Sequence, residues 1–239
     1  MITSLTNEKM KEYAKLNQSK YREEKGLFIV EGPHLVSEAK QLNLLEEVIT
    51  TDPNIEGTLV SDAVMKKLSN TVHPVKVLGI CKIVKRAKVC SKVLVLDCIS
   101  DPTNLGTLLR SAIAFGFETV FLANGSVDPY NDKVIRGSQG AILKIPVAYT
   151  NMEDCVRKLQ GNDVKVYAST LSKRSINLKD VKEVNRFALV VGNEGSGVSQ
   201  LIQDISDYNV KIAHSDCIDS LNVGVATSFM LYYFDSIAK

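Results

Sequence analysis

The stretch VLVLDCISDPTNLGTLLRSAIAFG, residues 93–116, decides the fold class. It opens with an unbroken apolar run, Val93 to Leu96, the pattern of a strand buried on both faces of a parallel sheet. Asp101-Pro102 then makes a turn, and Asn104 sits where a side chain would cap a helix. The periodic residues Leu105, Leu108, Leu109, Ala112 and Ile113 predict a helix through Phe115, with Gly116 as its terminator. Downstream, TVFLAN, VKVYAST, RFALVVG and YNVKIA read as further strands, with MEDCVRKLQ as a helix between two of them. Strands alternating with helices predict a parallel sheet covered on both faces.

Upstream the pattern differs. Asn7 to Lys25 has apolar residues at three- and four-residue spacings and predicts one amphipathic helix, capped by Asn7 and stopped by Gly26. LFIVEG reads as a strand, PHLVSEAKQLN as a helix opened by Pro33, EEVITT and TLVS as short strands, SDAVMKKLS as a capped helix, and VKVLGICKIV as strand again. These elements form a small α/β unit over residues 1–86. KRAKVCSK contains the connector, residues 87–92, and a second domain runs over 93–239.

A chain of 239 residues with 45% hydrophobic content suits two modest soluble domains. No run is long enough to span a bilayer, and the first residues lack the apolar core of a signal sequence, so a cytoplasmic protein is expected. Five cysteines and three histidines show none of the short spacings of a metal site, so no metal is expected. The net charge of +2 conceals an asymmetry: from Ala63 to Leu96 there is no Asp or Glu, while eight Lys and Arg residues fall there, among them Lys82, Lys85 and Arg86. Such a zone is either a solvated surface or a face that neutralises phosphates.

Three loops carry the polar residues with chemical potential. In the first, Arg110 stands beside the apolar stripe of its helix, either as a surface residue with its stem on the core or as a guanidinium aimed into a cleft. In the second, Gly192, Gly195 and Gly197 surround Glu194 just after the apolar strand Phe187–Val191, at the strand end where open α/β sheets bind ligands. GNEGSG is neither a P-loop nor GxGxxG, which argues against nucleotide hydrolysis and a Rossmann-type site. In the third, Asp219 and Ser220 are competent caps for the helix that follows, while Asn222 falls in a first turn where its helix propensity is poor.

DPTNLGTLLRSAIAFG, VVGNEGSGVS and DSLNVGVATSFMLYY, in that order, resemble the signature of the TrmH (SpoU-type) RNA ribose methyltransferases of the SPOUT superfamily. Asn104 and Arg110 match the first motif, Gly192, Glu194 and Gly195 the second, and Ser220, Leu221, Asn222 and Val223 the third. KVIRGSQGAILKIPV is similar to the family's basic Arg-Gly segment, with Lys133 and Arg136 in place, and EKGLFIVEGPHLVSEA resembles an attached substrate-binding domain of ribosomal-protein-like fold. The resemblance implies a deep trefoil knot, a homodimer through the C-terminal domain, and methyl transfer from S-adenosylmethionine to a ribose 2′-hydroxyl of rRNA or tRNA, with rRNA favoured. By position it assigns Arg110, Asn104, Glu194, Ser220 and Asn222 to catalysis. Thr170, Leu171, Gly192, Gly195, Ile212 and Leu221 fall to the cofactor, and Lys82, Lys85, Arg86, Lys133 and Arg136 to RNA. One departure stands out: IAHSDC from Ile212 replaces the family's Ile-Pro-Met and Gly, altering the loop expected to cover the cofactor. An alternative is therefore a non-catalytic RNA-binding protein that keeps a degenerate knot.

Overall fold

The computed structural model describes residues 1–71, 75–84, 87–172, 174–215 and 217–239. In chain order the elements begin with α1 (Glu8–Lys15), α2 (Ser19–Lys25), β1 (Leu27–Glu31), α3 (Pro33–Gln41), β2 (Leu45–Thr50), β3 (Thr58–Leu59), α4 (Asp62–Leu68) and β4 (Val77–Lys82). They continue with β5 (Lys92–Asp97), α5 (Pro102–Ala114), β6 (Thr119–Ala123), α6 (Asp132–Gly137), α7 (Ala141–Lys144), β7 (Val147–Thr150), α8 (Met152–Gln160) and β8 (Lys165–Ser169). Last come β9 (Ile176–Asn177), β10 (Phe187–Gly192), α9 (Gln200–Ile205), β11 (Tyr208–Lys211) and α10 (Val223–Ser236). No helix among the described residues is long and apolar enough to cross a membrane.

The chain divides into two compact units, residues 1–84 with 130–144, and residues 85–129 with 145–239. The first unit carries a four-stranded sheet in the order β1-β4-β2-β3, in which β4 pairs antiparallel with both neighbours. Its core gathers Met10, Leu16, Ile49, Met65, Leu68, Leu78 and Ile80, all essentially inaccessible. The predicted single helix over Asn7–Lys25 is two helices. Leu16 turns inward at the break and its carbonyl accepts a 2.7 Å bond from the buried Arg22 guanidinium, which a continuous helix would not permit. Asn7 does cap α1, and Gly26 ends α2 in the left-handed conformation at φ 65°.

Residues 130–144 leave the second unit and join the first. Tyr130 packs its ring 4.7 Å from that of Phe28 on β1, and Lys144 pairs with Glu38 of α3 at 2.7 Å. Gly140 takes φ +85° directly beneath the Glu38 carboxylate, where a Cβ would collide with it. Lys133 and Arg136 are thus carried by the first unit, although their place in the chain falls within the predicted second domain. Neither the α6–α7 pair nor the strand β7 stood out in the sequence.

The second unit is a seven-stranded sheet in the order β7-β6-β5-β10-β8-β11-β9, with every pairing parallel. Val93 to Leu96 and Phe187 to Val190 are fully buried, as continuous apolar runs at the centre of such a sheet require. Because the strands are parallel, β5, β10, β8 and β11 deliver their carboxyl ends to one edge; Gly192 ends β10 level with Asp97 at the end of β5.

Candidate active site

Helix α5 begins one turn earlier than its apolar periodicity predicts. Asp101, not Asn104, is the cap: its Oδ1 accepts from the backbone N–H of Thr103 at 2.6 Å and of Asn104 at 3.1 Å, with Pro102 at the first helical position. The N–H of Asn104, then that of Thr103, hold the Asp101 carboxyl below its ordinary range against burial and the like charge of Glu194. Asn104 is thereby free to reach sideways. A similar shift occurs at α10, where the cap is neither Asp219 nor Ser220 but Asn222, whose Oδ1 accepts from the N–H of Gly224 at 2.9 Å and of Val225 at 3.2 Å. Asn222 lies just outside the helix, so its poor propensity carries no cost.

The loop after β10 folds back on itself through paired backbone bonds between Asn193 and Gly197, at 3.1 and 2.9 Å. A Cβ on Gly192 would collide with the backbone of Gly197 and Val198, and Gly197 takes φ +71°, so this closure requires both glycines. The Asn193 side chain accepts from the N–H of Gly195 at 2.9 Å and donates to the Cys98 carbonyl at 2.8 Å, tying the loop to the end of β5.

Glu194 is the junction of the site. Its carboxylate accepts from the Ser100 hydroxyl (2.9 Å), the Ser100 N–H (3.3 Å), the Asp101 N–H (3.1 Å), Asn104 Nδ2 (3.1 Å) and Asn193 Nδ2 (3.3 Å). Burial alone would raise this carboxyl. The bond from Asn104, its own N–H, the Asp101 N–H and Ser100 outweigh that and hold it at about 2. Asn222 Nδ2 in turn donates to Asn104 Oδ1 at 3.3 Å. Glu194, Asn104 and Asn222, one from each of the three loops, therefore form a continuous chain of side chains.

Beside this chain lies a pocket of about 570 Å³, a volume typical of small-molecule sites. Thr170, Leu171, Gly192, Gly195, Ile212 and Leu221 all line it, as do Glu194 and Ser220. Sequence reasoning missed Lys211, His214, Gln203, Thr227 and Met230 on the same wall and assigned Asp219 only a capping role. Position after strands β10 and β11 and on the inner face of α10 was the available signal. Val191, Val198, Thr227 and Met230 are buried, whereas Asp219 and Ser220 are exposed, so the pocket combines enclosed, largely apolar wall with exposed polar wall.

Arg110 lines neither this pocket nor the neighbouring groove. It is exposed on the same face of α5 as Thr103 and Thr107, and makes no hydrogen bond or ion pair among the described residues. The groove, about 610 Å³, runs between α5 and α10 and is lined by Asn104, Asn222, Phe115, Val225, Phe229 and Tyr232 among others. Val225, Phe229 and Tyr232 are 47%, 59% and 60% exposed. Of the residues expected to meet RNA, Lys82 pairs with Glu46 at 2.8 Å, Arg136 pairs with Asp132 at 2.8 Å, and Lys133 is exposed. Lys85 and Arg86 lie outside the described residues.

Residues 91–232 match the model of the SpoU rRNA Methylase family, and residues 7–79 that of the MRM3-like substrate binding domain. The 23S rRNA (guanosine(2553)-2′-O)-methyltransferase RlmP of Bacillus subtilis (strain 168) is 32% identical over 97% of this chain and 98% of its own. An AdoMet-bound rRNA methyltransferase from Sinorhizobium meliloti superposes with a TM-score of 0.89 at 27% identity, covering 98% of this chain and 97% of the other. The SpoU methyltransferase AviRb from Streptomyces viridochromogenes, at 18% identity and a TM-score of 0.83, over 96% of this chain and 97% of its own, shares the fold.

Proposed function

We propose that this chain, which belongs to the SpoU rRNA methylase family, transfers a methyl group from S-adenosylmethionine to a ribose 2′-hydroxyl of RNA, ribosomal RNA being the favoured substrate. The observation that carries this reading is the side-chain sequence Glu194–Asn104–Asn222, which unites the three motif loops beside the 570 Å³ pocket. The pocket suits the cofactor. Its buried apolar walls accommodate a flat base, its glycine-lined loops allow close backbone approach, and Lys211 and Asp219 offer opposite charges for a zwitterionic tail. Thr170, Leu171, Gly192, Gly195, Ile212 and Leu221 are the residues that would hold it.

When bound, S-adenosylmethionine supplies a methyl group on a good leaving group, chemistry that calls for orientation and electrostatics. The ribose oxygen would gain its bond to the methyl carbon as the sulfonium C–S bond breaks, the neutral thioether would leave as S-adenosylhomocysteine, and the hydroxyl proton would pass to solvent water. Arg110 carries five N–H donors and no acceptor, so its guanidinium stabilises the emerging alkoxide or holds an adjacent phosphate; it does not take the proton. Glu194 and Asn104 are positioning residues. They fix the start of α5, and hence the direction of the helix that bears Arg110, relative to Ser220 and Asn222.

The reading includes a homodimer through α5 and α10. Arg110 is the only charged residue of α5 and Asp235 that of α10, and the exposed Val225, Phe229 and Tyr232 suit a self-complementary two-fold contact. A second copy on this face would bring its own residues to Arg110. A trefoil knot also belongs to the reading, supported by the strand order in which β10 lies between β5 and β8 with β11 beyond. Lys133 and Arg136, together with Lys82, Lys85 and Arg86, are assigned to RNA, and the reaction to the cytoplasm. The retained pocket, on whose wall Ile212 and His214 of the altered loop both lie, favours catalysis over a degenerate RNA binder.

The deciding experiment incubates purified protein with unmethylated ribosomal RNA, labelled S-adenosylmethionine and a chelator, and maps 2′-O-methyl nucleotides. Label in a ribose at one nucleotide is expected. Failure to bind the cofactor at millimolar concentration, or transfer abolished by the chelator, would overturn the assignment.

A further inference from the structure

Side-chain hydroxyls inside helices ordinarily bond a backbone carbonyl one turn back. Helix α10, which lines the pocket, and α5 packed beside it follow that habit: Thr107 bonds the Thr103 carbonyl at 3.1 Å, Ser228 that of Gly224 at 2.7 Å, and Ser236 that of Tyr233 at 2.7 Å. Thr227, one residue before Ser228 on α10, does not. Its side chain is wholly buried, and its Oγ1 has no hydrogen-bond partner among the described residues. A buried hydroxyl left unpaired is destabilising, a cost that a bound group with a polar atom removes. Thr227 also lines the pocket, as do the buried apolar Val191, Val198 and Met230, 4%, 2% and 2% exposed.

We propose that the Thr227 hydroxyl is a recognition group for the nucleoside end of the ligand in this pocket, hydrogen-bonding one of its heteroatoms. The inference rests on the reading of the pocket as an S-adenosylmethionine site. The surroundings select the end: buried apolar walls suit a purine, while Lys211, Asp219 and Ser220 stand ready for the charged amino-acid tail. Thr227 thus adds a directional contact to a pocket otherwise defined by glycine loops and apolar walls, and discriminates for a ligand with a polar atom at that depth.

The test compares wild type with Thr227→Val, which keeps the shape and removes the hydroxyl, and Thr227→Ser, which keeps the hydroxyl. Each is titrated calorimetrically with S-adenosylhomocysteine and with 5′-methylthioadenosine, which lacks the amino-acid tail, and melted without ligand. Thr227→Val should lose affinity for both ligands by about tenfold or more. Its ligand-free melting temperature should equal or exceed that of wild type, because an unpaired buried polar group has gone. Thr227→Ser should bind within about threefold of wild type, the conservative exchange retaining the bond. Equal affinity of Thr227→Val and wild type would overturn the proposal and leave Thr227 with packing or a resident water. A loss confined to S-adenosylhomocysteine would move the hydroxyl to the amino-acid end and overturn it too. Should Thr227→Val not fold, Thr227→Ala is expected to show the same loss for both ligands. If wild type bound neither ligand, the cofactor reading itself would fall, an outcome distinct from those in which only the Thr227 variants differ.

Discussion

Glu194 and Arg110 belong to the same unit, and the sequence presents both as isolated charges among residues that explain themselves. Their surroundings are opposite. Glu194 accepts five hydrogen bonds from four residues of two loop segments, whereas Arg110 has none among the described residues. A carboxylate so fully engaged has no capacity left for a substrate, and its work is to hold loops. An exposed guanidinium whose five donors are unengaged is available to an incoming anion. Bonding state, more than motif membership, separates the group that positions from the group that acts.

That contrast is broken most directly at Arg110. Arg110→Ala should lower turnover about 10²–10³-fold, the range for removing one donor to a developing oxyanion, with cofactor affinity close to wild type. Arg110→Lys should recover only part, since the planar fork is lost while the charge stays. Single-turnover methylation with calorimetry in parallel reads both quantities, and wild-type turnover in a folded Arg110→Ala protein would remove its catalytic role.

The outward face that bears Arg110 supplies the next test. Phe229→Glu places a carboxylate in the middle of the exposed α10 stripe and should convert a dimer to monomer at micromolar concentration in sedimentation, while leaving cofactor affinity near wild type. A wild-type protein that sediments as a monomer would dispose of the dimer, and with it any contribution of a second copy to Arg110.

How much of this was legible before the structure depends on whether the decisive interaction is local. The parallel sheet followed from apolar runs such as Phe187–Val191, whose burial on both faces needs no knowledge of distant residues. The six pocket residues come from the end of β10 and the loops after β8, β10 and β11, and it was the family resemblance that grouped them. The caps were misplaced for a local reason: Asp101, Asn104, Asp219, Ser220 and Asn222 are all chemically able to cap, and only backbone geometry chooses. The Glu194–Asn104 bond joins residues 90 apart in the chain and left no trace in spacing. Nor did the packing of residues 130–144 on the first unit, since a ring against Phe28 and an ion pair with Glu38 depend on where the chain returns.

At the junction itself, Glu194→Gln replaces an acceptor with a donor that faces Asn104 and the Ser100 and Asp101 N–H groups. A stability loss of about 1 kcal/mol, the low end because the site touches solvent, corresponds to roughly 2–4 °C in melting temperature. The sign with pH follows from the depressed carboxyl, about 2 in the folded chain against about 4.3 unfolded. The stabilisation is fully present above the unfolded value and is lost as pH falls from there through about 2. The gap between wild type and Glu194→Gln should therefore be constant above about pH 5 and narrow on acidification. A gap that widened in acid would mean that Glu194 is not the stabilising anion.

The smallest effect tests whether the contact between the first and third loops is a true coupling. Asn222→Ala loses the cap of α10 and should cost about 1 kcal/mol on its own. Asn104→Ala leaves Glu194 one donor short and removes the acceptor for Asn222. If the two side chains acted separately, the double variant would lose the sum of the single losses. The 3.3 Å bond between them predicts a shortfall of roughly 0.5 kcal/mol, modest because both amides are open to solvent. Urea melts of the four proteins measure that term. Full additivity would reduce the chain Glu194–Asn104–Asn222 to two neighbouring pairs, and would leave Glu194 with authority over the start of α5 but none over α10.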